Sequence, residues 1–460
     1  MTISDIQQKI KDSSARAVIE NALKLADEKS EYHALLSLTA ERALRRADDI
    51  DSGKIVGKLA GVPFVVKDNF LAFGAPTTAA SKMLEDFNAP LQATAVEKLE
   101  AEGAICIGKS NLDAFAHGGS TENSAFRPTK NAVDRTKVAG GSSGGSAVIT
   151  ALDVVPFALG SDTGGSIRQP ASFNGVVGVK PTYGAVSRYG VVAMASSTDT
   201  IGVFTQNIAD AEVVMDIMAG QDERDMTTLP DFFEIQNDLK PNQKIGLISD
   251  FMTDDVDGDV REKINKYADK LRQNGHIIEE VKLPMAEYAL AMYYIIVPAE
   301  ICSNLARYDG IRYGLRAENA INLAEVYGKT RDEGFVTENK RRIMIGSFVL
   351  SSGFFDAYYL KAQKARTLLI NEFNKLFTSY DVLIGPVTPT TAFGLGENTS
   401  DPIKMYLGDI MTVPTSLAGL PAISVPAGMD KTGLPVGVQL IGPMKSDAKL
   451  LSLAKSLEDK

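Results

Sequence analysis

The chain has few of the side chains on which much enzyme chemistry depends. Its 460 residues include no tryptophan, two cysteines and three histidines, so imidazole or thiolate chemistry would have to use Cys106, Cys302, His33, His117 or His276. No CxxC or HxxxH spacing occurs, which excludes the common zinc and thiol redox motifs. We therefore expect buried, reduced cysteines, structural histidines and no metal site.

Basic residues are also fewer than acidic residues. Forty-eight Lys and Arg stand against 58 Asp and Glu, a net charge of −10, which disfavours general adhesion to nucleic acid or anionic lipid. No stretch approaches the roughly 18 uninterrupted apolar residues of a membrane span, and the charged N-terminus lacks the apolar core of a signal peptide. We expect a soluble, cytoplasmic protein.

The pattern of apolar residues predicts an α/β protein. Helical periodicity over residues 1–58 predicts a helical N-terminal layer. From residue 61 short β-rich runs alternate with helices, and a closing helix is expected from Asp447. We predict a large mixed, mostly parallel central sheet covered by helices on both faces. Because no linker interrupts the chain, we expect residues 1–460 to form one domain.

Two clusters rich in glycine and serine stand close together, GGSSGG at residues 140–145 and GSDTGGSIRQP at residues 160–170. Neither is a nucleotide-binding motif, because Ser166 occupies the position of the P-loop lysine and no GxGxxG is present. Nor is Ser166 in a GxSxG elbow, since Ile and Arg follow it. The clusters therefore favour a different chemistry.

In the second cluster Ser166 directly follows two glycines and precedes a predicted short helix. The backbone N–H groups of Thr163, Gly164 and Gly165 are then placed to converge on one point, as in an oxyanion hole. This arrangement predicts Ser166 as the nucleophile of an acyl transfer. An ordinary glycine turn before a helix is the alternative.

A serine nucleophile needs a base, and Lys67 is the candidate. It ends the apolar run GVPFVV, so burial is expected to lower its pKa from about 10.4 and leave a neutral amine. The alternative is a surface lysine at a strand end.

Together these segments resemble a known family. GVPFVVKDN and GGSSGGSAVITALDVVPFALGSDTGGSIRQPASFNGVVGVKPT are similar to the amidase signature family, and Lys67, Ser142 and Ser166 match its Ser-Ser-Lys triad. The resemblance implies that Ser166 attacks the amide carbon. It also implies that Ser142, on a cis peptide bond, relays protons through a neutral Lys67.

Further runs, including IGKSNLDAFAHGGSTENSAF and KRRIMIGSFVLSSGFFDAYYLKAQKAR, resemble the A subunits of tRNA-dependent amidotransferases, a branch of this family. The resemblance implies that glutamine hydrolysis supplies ammonia for converting Glu-tRNA(Gln), or Asp-tRNA(Asn), to the amidated form. It implies a heterotrimer with the B and C subunits, tRNA held mainly by the B subunit, and no membrane. No cofactor is expected in this chain, whereas ATP and Mg are expected in the partner subunit.

The same resemblance implies three substrate-binding residues. Arg342 matches a position that binds the α-carboxylate of glutamine, Asp409 one that binds its α-ammonium, and Tyr293 one that lines the pocket. Periodicity alone favours the alternatives, in which Arg342 is a solvated helix charge and Asp409 a helix cap, and only the match to the family pattern reverses this preference.

Three positions depart from the pattern usual in this branch. His117 stands where the branch has Met, Arg127 where it has Gly, and Ala139 where it has Pro. They leave fine substrate selectivity and the ammonia exit open. Two other functions also remain open, a free-standing amidase on another small amide and a catalytically silent scaffold.

Overall fold

The computed structural model describes residues 1–230, 232–235 and 242–458 of the chain. Its strands are β1 (Leu35–Leu38), β2 (Pro63–Lys67), β3 (Ile105–Ser110), β4 (Phe157–Asp162), β5 (Val177–Lys180), β6 (Thr200–Thr205), β7 (Lys244–Ile248), β8 (Ile277–Val281), β9 (Val382–Pro386), β10 (Ala422–Met429) and β11 (Pro435–Ile441). They form one sheet in the order β1-β3-β2-β4-β6-β5-β10-β11-β9-β7-β8.

The directions of the strands correct one part of the predicted fold. The sheet is mixed, as expected, but six neighbouring pairs of the described strands are antiparallel and four are parallel. The prediction of a mostly parallel sheet is therefore wrong. For example, β6 lies between β4 and β5 and is antiparallel to both. An apolar run identifies a buried strand, whereas its direction depends on partners elsewhere in the chain.

Helices cover both faces of this sheet. They are α1 (Ile3–Asp12), α2 (Ala15–Glu28), α3 (Ala40–Asp51), α4 (Thr94–Ala101), α5 (Gly144–Ala151), α6 (Arg168–Asn174), α7 (Ile208–Met218), α8 (Gly258–Gln273), α9 (Ala289–Leu305), α10 (Leu323–Gly334), α11 (Thr337–Val349), α12 (Lys361–Leu376), α13 (Pro402–Leu407), α14 (Val413–Leu417) and α15 (Asp447–Leu457). Side chains of β2 alternate between two cores: Phe64 and Val66 pack in one, and Val65 packs with α2, α3 and α5 in the other. Alternation of this kind places helices on both sides of a strand.

The N-terminal layer is helical with one exception. Helices α1, α2 and α3 lie within residues 1–58 as predicted, but Leu35–Leu38 forms β1, the strand at one edge of the sheet. β1 is antiparallel to β3. A short apolar run fits a helix or a strand equally well by periodicity, and pairing with β3 decides between them.

One helix in the described residues is long and apolar enough to span a membrane, judged by length and composition alone. It covers Pro284–Leu305, a short 3₁₀ segment continued by α9, and half of its most apolar stretch is buried inside the protein. Its buried side chains include Ile296 and Val297, and it packs against α11 and α12. A core helix passes the same test, so this stretch is weak grounds for a membrane span.

Gly202 on β6 provides a test of packing between strands. A Cβ atom at this position would lie 1.9 Å from the carbonyl oxygen of Val179 on β5. We expect Gly202→Ala to lower the free energy of unfolding by about 3 kcal/mol or more, because two paired backbones would have to separate. Gly328→Ala on α10 is the control: its Cβ meets no atom within 4 Å, so it should raise stability by about 0.5–1 kcal/mol. Denaturant unfolding of both variants measures the difference, and equal midpoints would contradict the β5–β6 register.

Candidate active site

The side chains of Lys67 and Ser142 meet inside the protein. Lys67 ends β2 and Ser142 lies just before α5, and Lys67 Nζ is 2.8 Å from Ser142 Oγ. Lys67 Nζ is also 2.9 Å from the hydroxyl of Ser161, at the end of β4. Lys67 and Ser142 are both fully buried. Ser161 is a site residue that sequence reasoning missed, although it lies within the second glycine-rich cluster.

The environment of Lys67 favours its neutral form. Burial lowers the pKa of Lys67 to about 7, although the nearby carboxylates of Asp113, Asp162 and Asp199 oppose the shift. Removing the ammonium from water costs more free energy than its attraction to the three carboxylates recovers. The uncharged amine is therefore populated near neutral pH. A neutral amine accepts a proton, as a base for a serine hydroxyl must.

The segment that carries Ser142 is held from two sides. Its peptide bond with Gly141 is cis, as the family resemblance implies. The Gly141 N–H donates to Gln169 Oε1 at 2.8 Å, and the Asp113 N–H donates to the Ser142 carbonyl at 3.3 Å. Because Gln169 lies on α6, its side chain ties this segment to the helix that follows Ser166.

Ser166 lies in the turn between β4 and α6. The Ser143 N–H donates to the Ser166 carbonyl at 3.2 Å, and Ser166 keeps 9% of its surface exposed. In the described part of the chain no group accepts a hydrogen bond from the N–H of Thr163, Gly164 or Gly165. These donors remain available to a ligand, which is what an oxyanion hole requires.

Side chains from outside the motif hold this turn in place. Thr163 Oγ1 donates to Asp199 at 2.7 Å, and Thr412 Oγ1 donates to the Gly164 carbonyl at 2.6 Å. With φ of +148° at Gly165, an added Cβ would lie 2.3 Å from Thr412 Oγ1. Gly165 is therefore required both by its backbone conformation and by close packing.

A buried ion pair closes the base of the turn. Arg168 Nη2 lies 3.0 Å from Asp162 Oδ1, and both side chains are fully buried. The Ile167 N–H donates to Asp162 Oδ2 at 3.1 Å, so this carboxylate also binds the start of α6. Burial opposes ionisation, but Arg168 nevertheless holds the pKa of Asp162 below its usual range.

Arg342 and Asp409 line one cavity, together with Tyr294, Tyr406 and Glu338. Arg342 is 3% exposed, which excludes its interpretation as a solvated helix charge. Of its guanidinium, only Nε has a hydrogen-bond acceptor in the described residues, the Glu338 carboxylate at 2.8 Å. The two terminal nitrogens are therefore free for a ligand. Tyr294, Tyr406 and Glu338 are pocket residues that sequence reasoning did not identify, and no motif indicated them.

Asp409 connects this cavity to the Ser166 turn. Its carbonyl accepts a 3.1 Å hydrogen bond from Thr412 Oγ1, the hydroxyl that also holds Gly164. Burial raises the pKa of the Asp409 carboxyl to about 7, although Arg342 counteracts the shift. The predicted pocket residue Tyr293 packs its ring against Gly164, where a Cβ atom would lie 2.7 Å from the ring. All three predicted binding residues thus lie around the turn or the cavity beside it.

The three positions that depart from the usual pattern have different surroundings. His117 is fully buried, and its Nδ1 lies 2.6 Å from the amide nitrogen of Asn339 on α11. Burial lowers the pKa of His117 well below its ordinary value, so this ring is neutral. Arg127 lines a surface cavity beside β1. Ala139 is buried, and its carbonyl accepts a hydrogen bond from Asn174 at 2.7 Å.

The cysteines and the remaining histidines make no contribution to the site. Cys106 and Cys302 are free thiols. Cys106 is buried as expected, whereas Cys302 on α9 is partly exposed, which corrects the expectation for that residue. His33 lines the surface cavity beside β1, and His276 lies just before β8. The hydrogen-bond partners of the Lys67 amine within the described residues are serines, so the groups that meet here are hydroxyls and an amine.

Comparisons with known proteins agree with this geometry. The family model described as Amidase matches residues 17–451. The A subunit of glutamyl-tRNA(Gln) amidotransferase from Lacticaseibacillus casei is 50% identical over 455 residues, which cover 97% of this chain and 94% of that protein. The likeness therefore extends over nearly the whole of both chains.

Solved structures of amidase-family enzymes have the same fold as this chain. The A subunit of glutamyl-tRNA(Gln) amidotransferase from Thermotoga maritima superposes with a TM-score of 0.82 and 38% identity, covering 100% of this chain and 94% of that one. A bacterial aryl acylamidase of the amidase signature family superposes with a TM-score of 0.87 but only 25% identity, covering 100% and 96%. Similar backbones are thus shared by enzymes with different names and substrates. Sequence identity distinguishes them, because it is higher to the amidotransferase subunit than to the aryl acylamidase.

Proposed function

The chain belongs to the amidase family, and on this premise we propose that it is the glutamine-hydrolysing subunit of a tRNA-dependent amidotransferase. The observation that carries the proposal is the cavity in which Arg342 and Asp409 stand together beside the Ser166 turn. A guanidinium and a carboxylate in one small cavity complement the two charged groups of a free amino acid. The direct test is release of ammonia and glutamate from glutamine by the purified chain, with and without partner subunits.

In the acylation step Ser166 Oγ attacks the side-chain carbonyl carbon of glutamine. The Ser166 proton passes to Ser142, and the Ser142 proton passes to the neutral amine of Lys67. The N–H groups of Thr163, Gly164 and Gly165 stabilise the negative oxygen of the tetrahedral intermediate, at about 3 kcal/mol or more for each donor. As this intermediate collapses, the same relay returns the proton from Lys67 through Ser142 to the amide nitrogen. The C–N bond then breaks, and the protonated nitrogen leaves as ammonia.

Deacylation uses the same groups in the same order. A water molecule attacks the ester carbon of the glutamyl–Ser166 intermediate and loses its proton through Ser142 to Lys67. The new tetrahedral intermediate again carries its negative oxygen in the N–H turn. Breaking the C–O bond returns a proton to Ser166 and releases glutamate, so the site is restored and one water is consumed.

Substrate binding uses the groups left unpaired in the cavity. The two terminal nitrogens of Arg342 bind the α-carboxylate in a bidentate geometry, and the Asp409 carboxylate binds the α-ammonium. Tyr293 packs against Gly164 and bounds the space above the turn. This arrangement places the amide end of glutamine toward Ser166 and selects against amides that lack the amino acid head.

We infer the rest of the assembly from the relatives, which are A subunits of an amidotransferase. The chain works in a heterotrimer with the B and C subunits, in the cytoplasm. It holds no cofactor of its own, whereas ATP and Mg act in the partner subunit that amidates Glu-tRNA(Gln) or Asp-tRNA(Asn). The net charge of −10 is consistent with tRNA being held mainly by the B subunit. Copurification and an assay dependent on glutamine and ATP test these statements.

A free-standing amidase remains the second candidate, because the aryl acylamidase shares the backbone. The free terminal nitrogens of Arg342 and the Asp409 carboxyl argue against it, since an uncharged amide without an amino acid head would leave these polar groups of the cavity without partners. Comparing kcat/KM for glutamine and for a simple aliphatic amide distinguishes the two. A preference for the simple amide would support the second candidate.

Replacing Arg342 tests substrate recognition. We expect Arg342→Gln to lower kcat/KM for glutamine about 100-fold, because the bidentate charged hydrogen bonds to the α-carboxylate are lost. An amide without an α-carboxylate should lose less than about threefold. The control is Lys340→Gln, on the same helix, where the side chain is 38% exposed. This variant should leave kcat/KM unchanged for both substrates. Equal losses on both substrates would mean that Arg342 is only structural.

A further inference from the structure

We propose that Glu338 is a positioning residue for glutamine recognition: it holds the Arg342 guanidinium by one edge so that its terminal nitrogens face the substrate carboxylate. This inference rests on the proposed function. Both residues lie on α11, one helical turn apart, and Arg342 Nε donates to Glu338 Oε1 at 2.8 Å. Their side chains are 4% and 6% exposed, so this is a buried pair rather than a surface one.

Glu338 is itself fixed by two further groups. The Tyr406 hydroxyl, on α13, donates to Glu338 Oε1 at 2.8 Å. Its other oxygen, Oε2, pairs with Arg341. Both carboxylate oxygens are therefore occupied, and one of them binds the hydroxyl and Arg342 together. The carboxylate has little freedom to move, and neither has the edge of the guanidinium that it binds.

Aromatic rings limit the remaining motion of Arg342. The guanidinium carbon lies 5.3 Å from the centre of the Tyr294 ring and 5.6 Å from that of Tyr406. These two rings stack on each other, with centres 3.9 Å apart. Tyr406 thus restrains Arg342 in two ways: its ring lies beside the guanidinium, and its hydroxyl holds Glu338. A guanidinium ordered before binding loses less entropy when the substrate carboxylate arrives, which lowers KM rather than raising kcat.

The negative charge of Glu338 also contributes to the charge balance of the cavity. Arg342 and Asp409 face the substrate and balance the zwitterion of an amino acid. Arg341 and Glu338 add one further charge of each sign, so these four side chains balance one another before and after binding. Without Glu338, the buried Arg342 would lose the acceptor of its Nε and its guanidinium would no longer be held by that edge.

The test compares Glu338→Gln, Tyr406→Phe and the double variant with the wild type, using glutamine and a simple aliphatic amide. We expect each single variant to raise KM for glutamine about tenfold, with kcat changed by less than about threefold and the simple amide unaffected. Because both variants disrupt one network, the double variant should be no worse than about the larger single effect, so the changes should not multiply. Glu338→Ala should be worse than Glu338→Gln, since the amide oxygen still accepts a hydrogen bond from Arg342.

The control is Glu262→Gln on α8. Glu262 forms an ion pair of the same helical spacing with Lys266, at 2.6 Å, but its side chain is 49% exposed, and the variant should leave both substrates unchanged. A fall in kcat for both amides, or effects of the two single variants that multiply, would overturn the positioning role. If the wild type hydrolyses no glutamine even with partner subunits present, the proposed function fails instead.

Discussion

Ser166→Ala is expected to abolish ammonia release from glutamine, by a factor of about 10⁴ or more. The acyl-enzyme needs the Ser166 oxygen, and no other hydroxyl of the site follows the N–H turn directly. The substitution removes one oxygen from a residue that is 9% exposed, so the melting temperature should change little. Ammonia release under saturating glutamine measures the effect, with circular dichroism as the check on the fold.

Two companion measurements make this result specific to the nucleophile. Ser172→Ala, on α6 and also buried, should keep activity within a few-fold of the wild type. In the presence of the partner subunits, ammonium salt should restore tRNA amidation by the Ser166 variant, because only the ammonia supply is lost. Substantial glutaminase activity in Ser166→Ala would remove Ser166 from the nucleophile role. A failure of ammonium to restore amidation would contradict the claim that this chain only supplies ammonia.

Lys67→Met is expected to be nearly as inactive as Ser166→Ala, because the proton of Ser142 would have no acceptor. Lys67→Arg should be equally inactive, since a guanidinium stays protonated at every working pH. Lys180→Met is the matched control. Lys180 ends β5, is almost fully buried, and has a pKa lowered by burial to about 7, yet it donates to the Pro181 carbonyl rather than to the site. The control should therefore keep most of its activity, whereas a loss equal to that of Lys67→Met would mean that any buried lysine at a strand end is needed for the fold.

The pH dependence of kcat tests the charge state of Lys67. Because burial lowers its pKa to about 7, the amine is neutral above that pH and protonated below it. Only the neutral amine accepts a proton, so kcat should be level above about pH 8 and fall about tenfold per unit well below about pH 7. Stopped assays from acidic to mildly alkaline pH with saturating glutamine measure this profile. A level profile across the acidic range would contradict a neutral lysine base.

Most of the groups that we propose to react could be identified from the sequence. Ser142, Ser166 and Lys67 lie in glycine-rich or apolar segments whose order and spacing are distinctive, and the structure brings Lys67 and Ser142 to 2.8 Å. Ser161 and Gln169 lie in the same segments but were not predicted, because nothing in the motif distinguishes a supporting hydroxyl or amide. The residues of the pocket were harder to predict from the sequence, because Glu338 and Tyr406 lie on separate helices and share no local pattern.

The sequence by itself determined the residue types available for chemistry and the apolar runs that become strands. With only three histidines in the chain, hydrolysis was expected to depend on hydroxyls and an amine. Local spacing is sufficient for such conclusions, because motifs and periodicity are short-range properties of the chain. Only the tertiary structure decided the direction of the strands, the burial that lowers the pKa of Lys67, and the meeting of Arg342 with Asp409. Each of these depends on segments far apart in the chain, and desolvation in particular exists only once those segments have packed together.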